Sequence, residues 1–274
     1  MPDKEQTLAA AARTAKNMRR AIITMTNLAG GGHPGGCLSA TDLLAVLYEG
    51  FMRVDPQNPR RQERDYFFLS KGHAVPALYA VLIEKGFLAP EEIRDFRAKT
   101  GRLPAYPSCE LTPGVDIASG SLGQGLSVAN GAALAARLDK SDRRAYVMLG
   151  DGELHEGQVW EAMMTAAHYR LANVCAIVDY NKLQLDGALD EVKTLGDLRG
   201  KWDRFGWRAL EINGHDLSAI YDAFAAARAW PEGPTVIIAH TIKGKGVSFM
   251  EDEVGWHAAA PNDEEYAIAM KELS

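Results

Sequence analysis

Apolar positions along the chain recur with two spacings, and each predicts a different element. Stretches with apolar residues three or four apart predict helices, and short continuous apolar runs predict buried strands. Thr7 to Leu28 is the first helix, alanine-rich, with Leu8, Ile22, Met25 and Leu28 near one side, and it stops at Gly30-Gly31-Gly32. Leu38 to Met52 is the second, with Ser39 as its candidate cap. Asp55 to Asp65 is a polar loop, and Tyr66 to Leu69 is a short strand. Ser70-Lys71-Gly72-His73-Ala74 then opens a helix reaching about Lys85. Pro90 to Lys99 is a short helix, Thr100 to Pro113 a proline-rich loop, and Leu126 to Leu138 a helix of small residues behind the glycine-rich Ala118 to Gly125.

The clearest pattern lies in the middle. Ala145 to Leu149 is a continuous apolar run, Gln158 to Tyr169 is helical, and Val174 to Val178 is a second run. Leu183 to Arg199 is an irregular, charged connection. Trp207 to Ile212 and Pro234 to His240 are further strands, separated by a helix from Gly214-His215-Asp216 to about Trp230. Asn262 caps a last short helix. The alternation predicts an α/β fold with a mostly parallel sheet flanked by helices, as one domain over residues 1–274.

Composition narrows the function. With 274 residues, 47% of them hydrophobic, the chain can bury a substantial core. A net charge of −6 gives no basic field for nucleic acid or an anionic membrane. No apolar run approaches the roughly 20 residues that span a bilayer, and the amino terminus has no secretory core. Cys37, Cys109 and Cys175 have neither metal nor disulfide spacing, so a reducing cytoplasm is expected.

The chemistry starts at Gly150-Asp151-Gly152, which ends one predicted strand, and at Asn181, just past the next. Ligands of open α/β sheets bind at this edge. Mg²⁺ prefers hard oxygen ligands shared with substrate phosphates. Asp151 offers a carboxylate, Asn181 an uncharged amide oxygen, and Leu183 a backbone carbonyl. Gly150 and Gly152 offer close backbone approach and N–H donors to a phosphate. The plain alternative for Gly-Asp-Gly is a surface turn; Asn181, after a helix and a second strand, favours the ligand set. Lys243 and Lys245 lie in no P-loop pattern.

Gly-Asp-Gly, a helix, an apolar strand and Asn together resemble the thiamine-diphosphate-binding motif. Gly32-His33-Pro34-Gly35-Gly36, Ser70-Lys71-Gly72-His73 and Gly255-Trp256-His257-Ala258 narrow the resemblance to transketolases, in the short form corresponding to the amino-terminal half. It extends from about Thr14 to the last residue. It implies the cofactors thiamine diphosphate and Mg²⁺, the metal held by Asp151, Asn181 and the Leu183 carbonyl. It implies cofactor contacts from His73, Gly120, Leu122, Gly150, Gly152, Glu156, Asn181 and His257. It also implies proton handling by His33, His73 and His257, near an unperturbed pKa of about 6.5, with His33 facing the substrate. For Glu156 a first-turn acid at a helix amino terminus is the alternative. Tyr106 lies where the family usually carries a substrate-contacting histidine. Either it takes that place, which would mean an unusual sugar, or it is a neighbouring loop aromatic.

The resemblance implies a two-carbon ketol transfer from a ketose to an aldose. It also implies that a glutamate activating the cofactor lies in a pyrimidine-binding domain outside this sequence. The expected partner is a separate carboxyl-terminal transketolase subunit, in an α₂β₂ heterotetramer. The alternatives are a non-catalytic binding or regulatory subunit of the same fold and a 2-oxoacid dehydrogenase subunit; the Gly-His-Pro-Gly-Gly and Ser-Lys-Gly-His segments argue against the second.

Overall fold

The strands that can be buried on both faces end up inside one parallel sheet, and the helices divide between its two sides. The computed structural model describes residues 3–274. Along the chain it contains α1 (Lys4–Ala29), α2 (Pro34–Val46), β1 (Tyr66–Leu69), α3 (Val75–Glu84), α4 (Gly125–Leu138), β2 (Ala145–Gly150), α5 (Gly157–His168) and β3 (Val174–Tyr180). There follow β4 (Leu183–Gln184), β5 (Gly187–Ala188), α6 (Leu189–Lys193), α7 (Leu198–Arg204), β6 (Arg208–Asn213), α8 (Leu217–Ala229), β7 (Thr235–His240) and α9 (Asp263–Glu272). The main sheet has the order β1-β2-β3-β7-β6, with every neighbouring pair parallel. Among the described residues no helix is long and apolar enough to cross a membrane.

Strand side chains alternate between faces, and two cores result. Tyr146, Met148, Cys175, Ile177 and Ile237 point into one core with α1, α2, α3 and α8. Val147, Leu149, Ala176, Val178, Val236 and Ile238 point into the other with α4, α5 and Trp202 of α7. Gly150 pairs with Asp179 across β2 and β3, so Asp151 and Asn181 leave adjacent strands at the same carboxyl edge.

The structure corrects four expectations. The second helix begins at Pro34, whose fixed φ suits a first turn, so Ser39 is interior and caps nothing. All thirteen residues of α2 are buried, and after Val46 the helix widens into a π-turn, Leu47–Phe51. The expected helix at 90–99 is only a 3₁₀ turn, Pro90–Asp95; Phe96 turns inward to bridge Leu103, and Arg97 takes φ 64°. The connection expected to be irregular contains the β4–β5 hairpin and helices α6 and α7, the latter anchored by the fully buried Trp202. Leu28, in the last turn of α1, stays 57% exposed.

Candidate active site

A cavity of about 450 Å³ opens at the carboxyl edge of β2 and β3. It gathers residues that lie far apart in the sequence. His33 comes from the start of α2, His73 from the turn after β1, and Tyr106, Gly120 and Leu122 from the loops before α4. Gly150, Asp151, Gly152 and Glu156 follow β2, Asn181 and Leu183 follow β3, and His257 follows β7. Every site residue expected from the sequence therefore lines the same space.

One corner is rich in oxygen. Asp151 is 3% exposed; its Oδ1 accepts from the Gly152 N–H at 2.7 Å and its Oδ2 from the Lys182 N–H at 2.5 Å. Asn181 Oδ1 accepts from the Leu183 N–H at 3.1 Å. The Leu183 carbonyl accepts from Lys243 Nζ at 2.8 Å. Each of these oxygens keeps a further lone pair. Burial, with Asp179 nearby, pushes the Asp151 carboxyl up to about 6, against the pull of the two N–H groups. A carboxylate held this way favours a cation. Among the described residues no three His, Cys, Asp or Glu side chains form a metal cluster. One carboxylate with neutral oxygens leaves room for phosphate oxygens, and that donor set fits Mg²⁺ carrying a diphosphate.

Behind this corner lies a network that the sequence did not disclose. Asp179 is fully buried. It accepts from Ser39 Oγ at 2.6 Å and from Lys71 Nζ and Thr241 Oγ1. Burial opposes its charge, but the Lys71 ammonium and these hydrogen bonds outweigh burial and hold its carboxyl below the usual range. Lys71 also donates to the Gly36 carbonyl at 2.8 Å, tying β1 to α2. Gly35 is needed beside it, because a Cβ there would stand 2.9 Å from the Trp256 carbonyl oxygen. A second acid, Glu153, is also buried. Burial pushes its carboxyl up, partly offset by Ser70, Gly123 and Gly150.

The three histidines form a cluster, with ring centroids 5.1 Å apart for His33–His73, 5.3 Å for His73–His257 and 5.8 Å for His33–His257. Burial lowers all three pKa values, helped by Arg97 and Lys243 at His33, by Lys71 at His73 and by Lys243 at His257, which falls to about 4. The imidazoles are neutral at pH 7, as expected, but their pKa values are not the unperturbed 6.5: partial burial and nearby cations move all three lower. Lys243 is 1% exposed. It reaches His257 Nδ1 at 2.9 Å, and burial lowers its pKa to about 8.

A second correction concerns the glycine amides. The Gly150 N–H donates to Glu153 Oε2 at 2.9 Å, and the Gly152 N–H is engaged by Asp151. The Gly150 amide thus serves the protein, because the first turn after β2 folds the acid back onto it. At the rim, Tyr106 is 45% exposed and lies over Gly120, where a Cβ would be 3.5 Å from the ring. Glu156 is exposed and precedes the first turn of α5. The residues that sequence reasoning missed, Ser39, Lys71, Glu153 and Asp179, stand beside the motifs, but only their burial separates them from ordinary polar residues. Lys243 carried a signal, in that a lysine followed a strand end.

Residues 10–274 match the family model described as transketolase, thiamine diphosphate binding domain. The chain is 42% identical over 260 residues to an apulose-4-phosphate transketolase subunit of Phocaeicola vulgatus, covering 94% of this chain and 92% of that one. It is 42% identical over 257 residues to a 6-deoxy-6-sulfo-D-fructose transketolase subunit of a Clostridium species, covering 93% of each. The crystal structure of transketolase from Campylobacter jejuni superimposes with a TM-score of 0.89 at 32% identity, over 98% of this chain and 43% of that one.

Proposed function

This chain belongs to the transketolase family, and we propose that it is the amino-terminal, cofactor-binding subunit of a split transketolase. In this reading it joins a separate carboxyl-terminal subunit to move a two-carbon ketol unit from a ketose to an aldose. The observation that carries the proposal is the convergence of Asp151, Asn181 and Leu183 with three neutral histidines on one cavity. Thiamine diphosphate, when bound, supplies the carbanion chemistry.

The chain's own share is to hold and to position. Asp151, Asn181 and the Leu183 carbonyl are the proposed Mg²⁺ ligands. Lys243, His73 and His257 line the same wall and would meet the diphosphate with one charge and two neutral donors. Gly120 and Leu122 would pack the cofactor's ring end. His33, neutral and half-buried, can accept a proton from a sugar hydroxyl or return it. Tyr106 would contact the substrate, and the exposed Glu156 would face the partner. That partner is proposed to contribute the pyrimidine-binding domain and its activating glutamate, in an α₂β₂ heterotetramer. Three free cysteines suit a reducing cytoplasm.

Two of the relatives are named for unusual sugars, apulose 4-phosphate and 6-deoxy-6-sulfo-D-fructose. With Tyr106 at the rim, an unusual ketose is proposed here too. The test is to purify this chain and its partner separately and assay ketol transfer with thiamine diphosphate and Mg²⁺. Negligible transfer by either alone and restoration on mixing is the expected result. Robust transfer by this chain alone would refute the split, and an inert mixture that binds no cofactor would refute the enzyme.

A further inference from the structure

Glu153 lies two residues beyond Asp151, inside the wall of the cavity, and the chemistry above makes no use of it. It is 2% exposed. Its Oε1 accepts from Ser70 Oγ and from the Gly123 N–H at 2.8 Å, and its Oε2 accepts from the Gly150 N–H at 2.9 Å. Ser70 Oγ in turn accepts from the Gly125 N–H at 3.0 Å, at the first residue of α4. One carboxylate thus joins three loops that are far apart in sequence. Each of those loops carries part of the cavity: Lys71 and His73 follow Ser70, Gly120 and Leu122 precede Gly123, and Asp151 follows Gly150.

We propose that Glu153 is a positioning residue that sets these three loops at the spacing the cofactor needs. The inference rests on the functional reading above and adds a residue to it.

The loops meet with no slack between them. A Cβ on Gly125 would stand 2.5 Å from Ser70 Cβ, and one on Gly123, where φ is +83°, would stand 2.8 Å from Glu156 Cβ. Segments this close bring N–H donors of one within reach of acceptors on the next, and the bonds that cross between them help to set their relative position. A carboxylate is acceptor-only and satisfies all three donors at once. Glutamine has the same shape but fails whichever way its amide turns, because its NH₂ group then faces the N–H of either Gly123 or Gly150. A buried donor left without a partner costs enough to loosen the loop that carries it.

The experiment compares wild type with Glu153→Gln in the assembly with the partner subunit. Hydrogen exchange is followed at Gly123 and Gly150, and thiamine diphosphate binding is measured by calorimetry with Mg²⁺. The variant is expected to exchange both amides about tenfold faster and to bind cofactor about tenfold more weakly. The KM for the sugar donor at saturating cofactor should stay within about twofold, a split that general loss of stability would not give. Unchanged exchange at both amides overturns the proposal whatever the cofactor does. A wild-type assembly that takes up no cofactor overturns the functional reading instead. If Glu153→Gln does not fold, Ser70→Ala decides: faster exchange at Gly123 and Gly125 upholds the proposal, and wild-type exchange there overturns it.

Discussion

The ammonium of Lys243 donates to the carbonyl oxygen of Leu183 at 2.8 Å. That oxygen is also the third protein ligand proposed for Mg²⁺, so a fixed charge and the metal would share one corner. The fixed charge sits at the mouth of a strand–turn, and its other contact is His257 Nδ1 at 2.9 Å. Two cations so close are tolerable only with a polyanion between them, which is what a diphosphate provides.

Lys243→Ala should therefore weaken thiamine diphosphate binding by about ten- to a hundredfold, the range for losing a charge-assisted hydrogen bond. Calorimetric titration across a Mg²⁺ series measures it. Lys243→Arg should rescue little, because a guanidinium is a planar fork and the site holds a point charge among packed atoms. Wild-type affinity in the alanine variant would remove Lys243 from the diphosphate site.

The Lys71–Asp179 pair is a matter of stability as well as of placement, with side chains 2% and 0% exposed. Lys71→Met leaves the Asp179 carboxylate buried without its counter-ion and is expected to cost about 3–5 kcal/mol. Adding Asp179→Asn should return part of that loss, since the uncompensated charge is gone. Urea midpoints of the single and double variants report it. Equal stability of the two would show that the carboxylate does not depend on Lys71.

Tyr106 is the residue to change for substrate choice. Tyr106→His should raise kcat/KM for an unbranched pentose phosphate donor relative to the native one by about tenfold, the scale set by one pocket contact. Tyr106→Phe, which removes only the hydroxyl, should show whether that group or the ring is read. A ketose panel assayed with the partner subunit gives the answer, and selectivity indifferent to both changes would remove Tyr106 as the cause.

Acid stability should depend on Asp42. Its Oδ2 accepts from Arg19 Nη2 at 2.6 Å and lies 2.8 Å from His215 Nδ1. Burial opposes its charge, yet these partners win and hold its carboxyl below the usual range. Its folded-state pKa thus lies below the unfolded value of about 3.9. The contribution is complete above that value and is lost as pH falls through the folded pKa. Asp42→Asn should cost about 3 kcal/mol at pH 7, and the gap to wild type should close below about pH 4. Denaturant curves at several pH values test this; a gap that stays constant into acid would contradict it.

The sequence by itself determined the five strands of the main parallel sheet, and the family resemblance of its motifs implied many, though not all, of the residues that face the cavity. Those features rest on short-range rules: a continuous apolar run bounded by turn residues suits a buried strand, and glycine beside Asp151 or His33 marks a backbone that something must approach. Chain order put Asp151 and Asn181 past adjacent strands, and the resemblance to transketolases implied which other segments join them. Where helices begin was less legible. Pro34 suits the first turn of α2 by its fixed φ, a local signal, whereas the burial of that helix on every side comes only from the surrounding layers.

Only the tertiary structure decided the charges. His33, His73 and His257 come from three distant segments, and their partial burial beside Lys71 and Lys243 is what moves their pKa values below the ordinary imidazole value. Asp179 reads as one more acid after a strand, and Glu153 as one more acid before a helix. Folding places Lys71, Ser39 and Thr241 around the first, and three loops around the second. A polar side chain's role is set by what surrounds it once water is gone, and those surroundings come from distant parts of the chain.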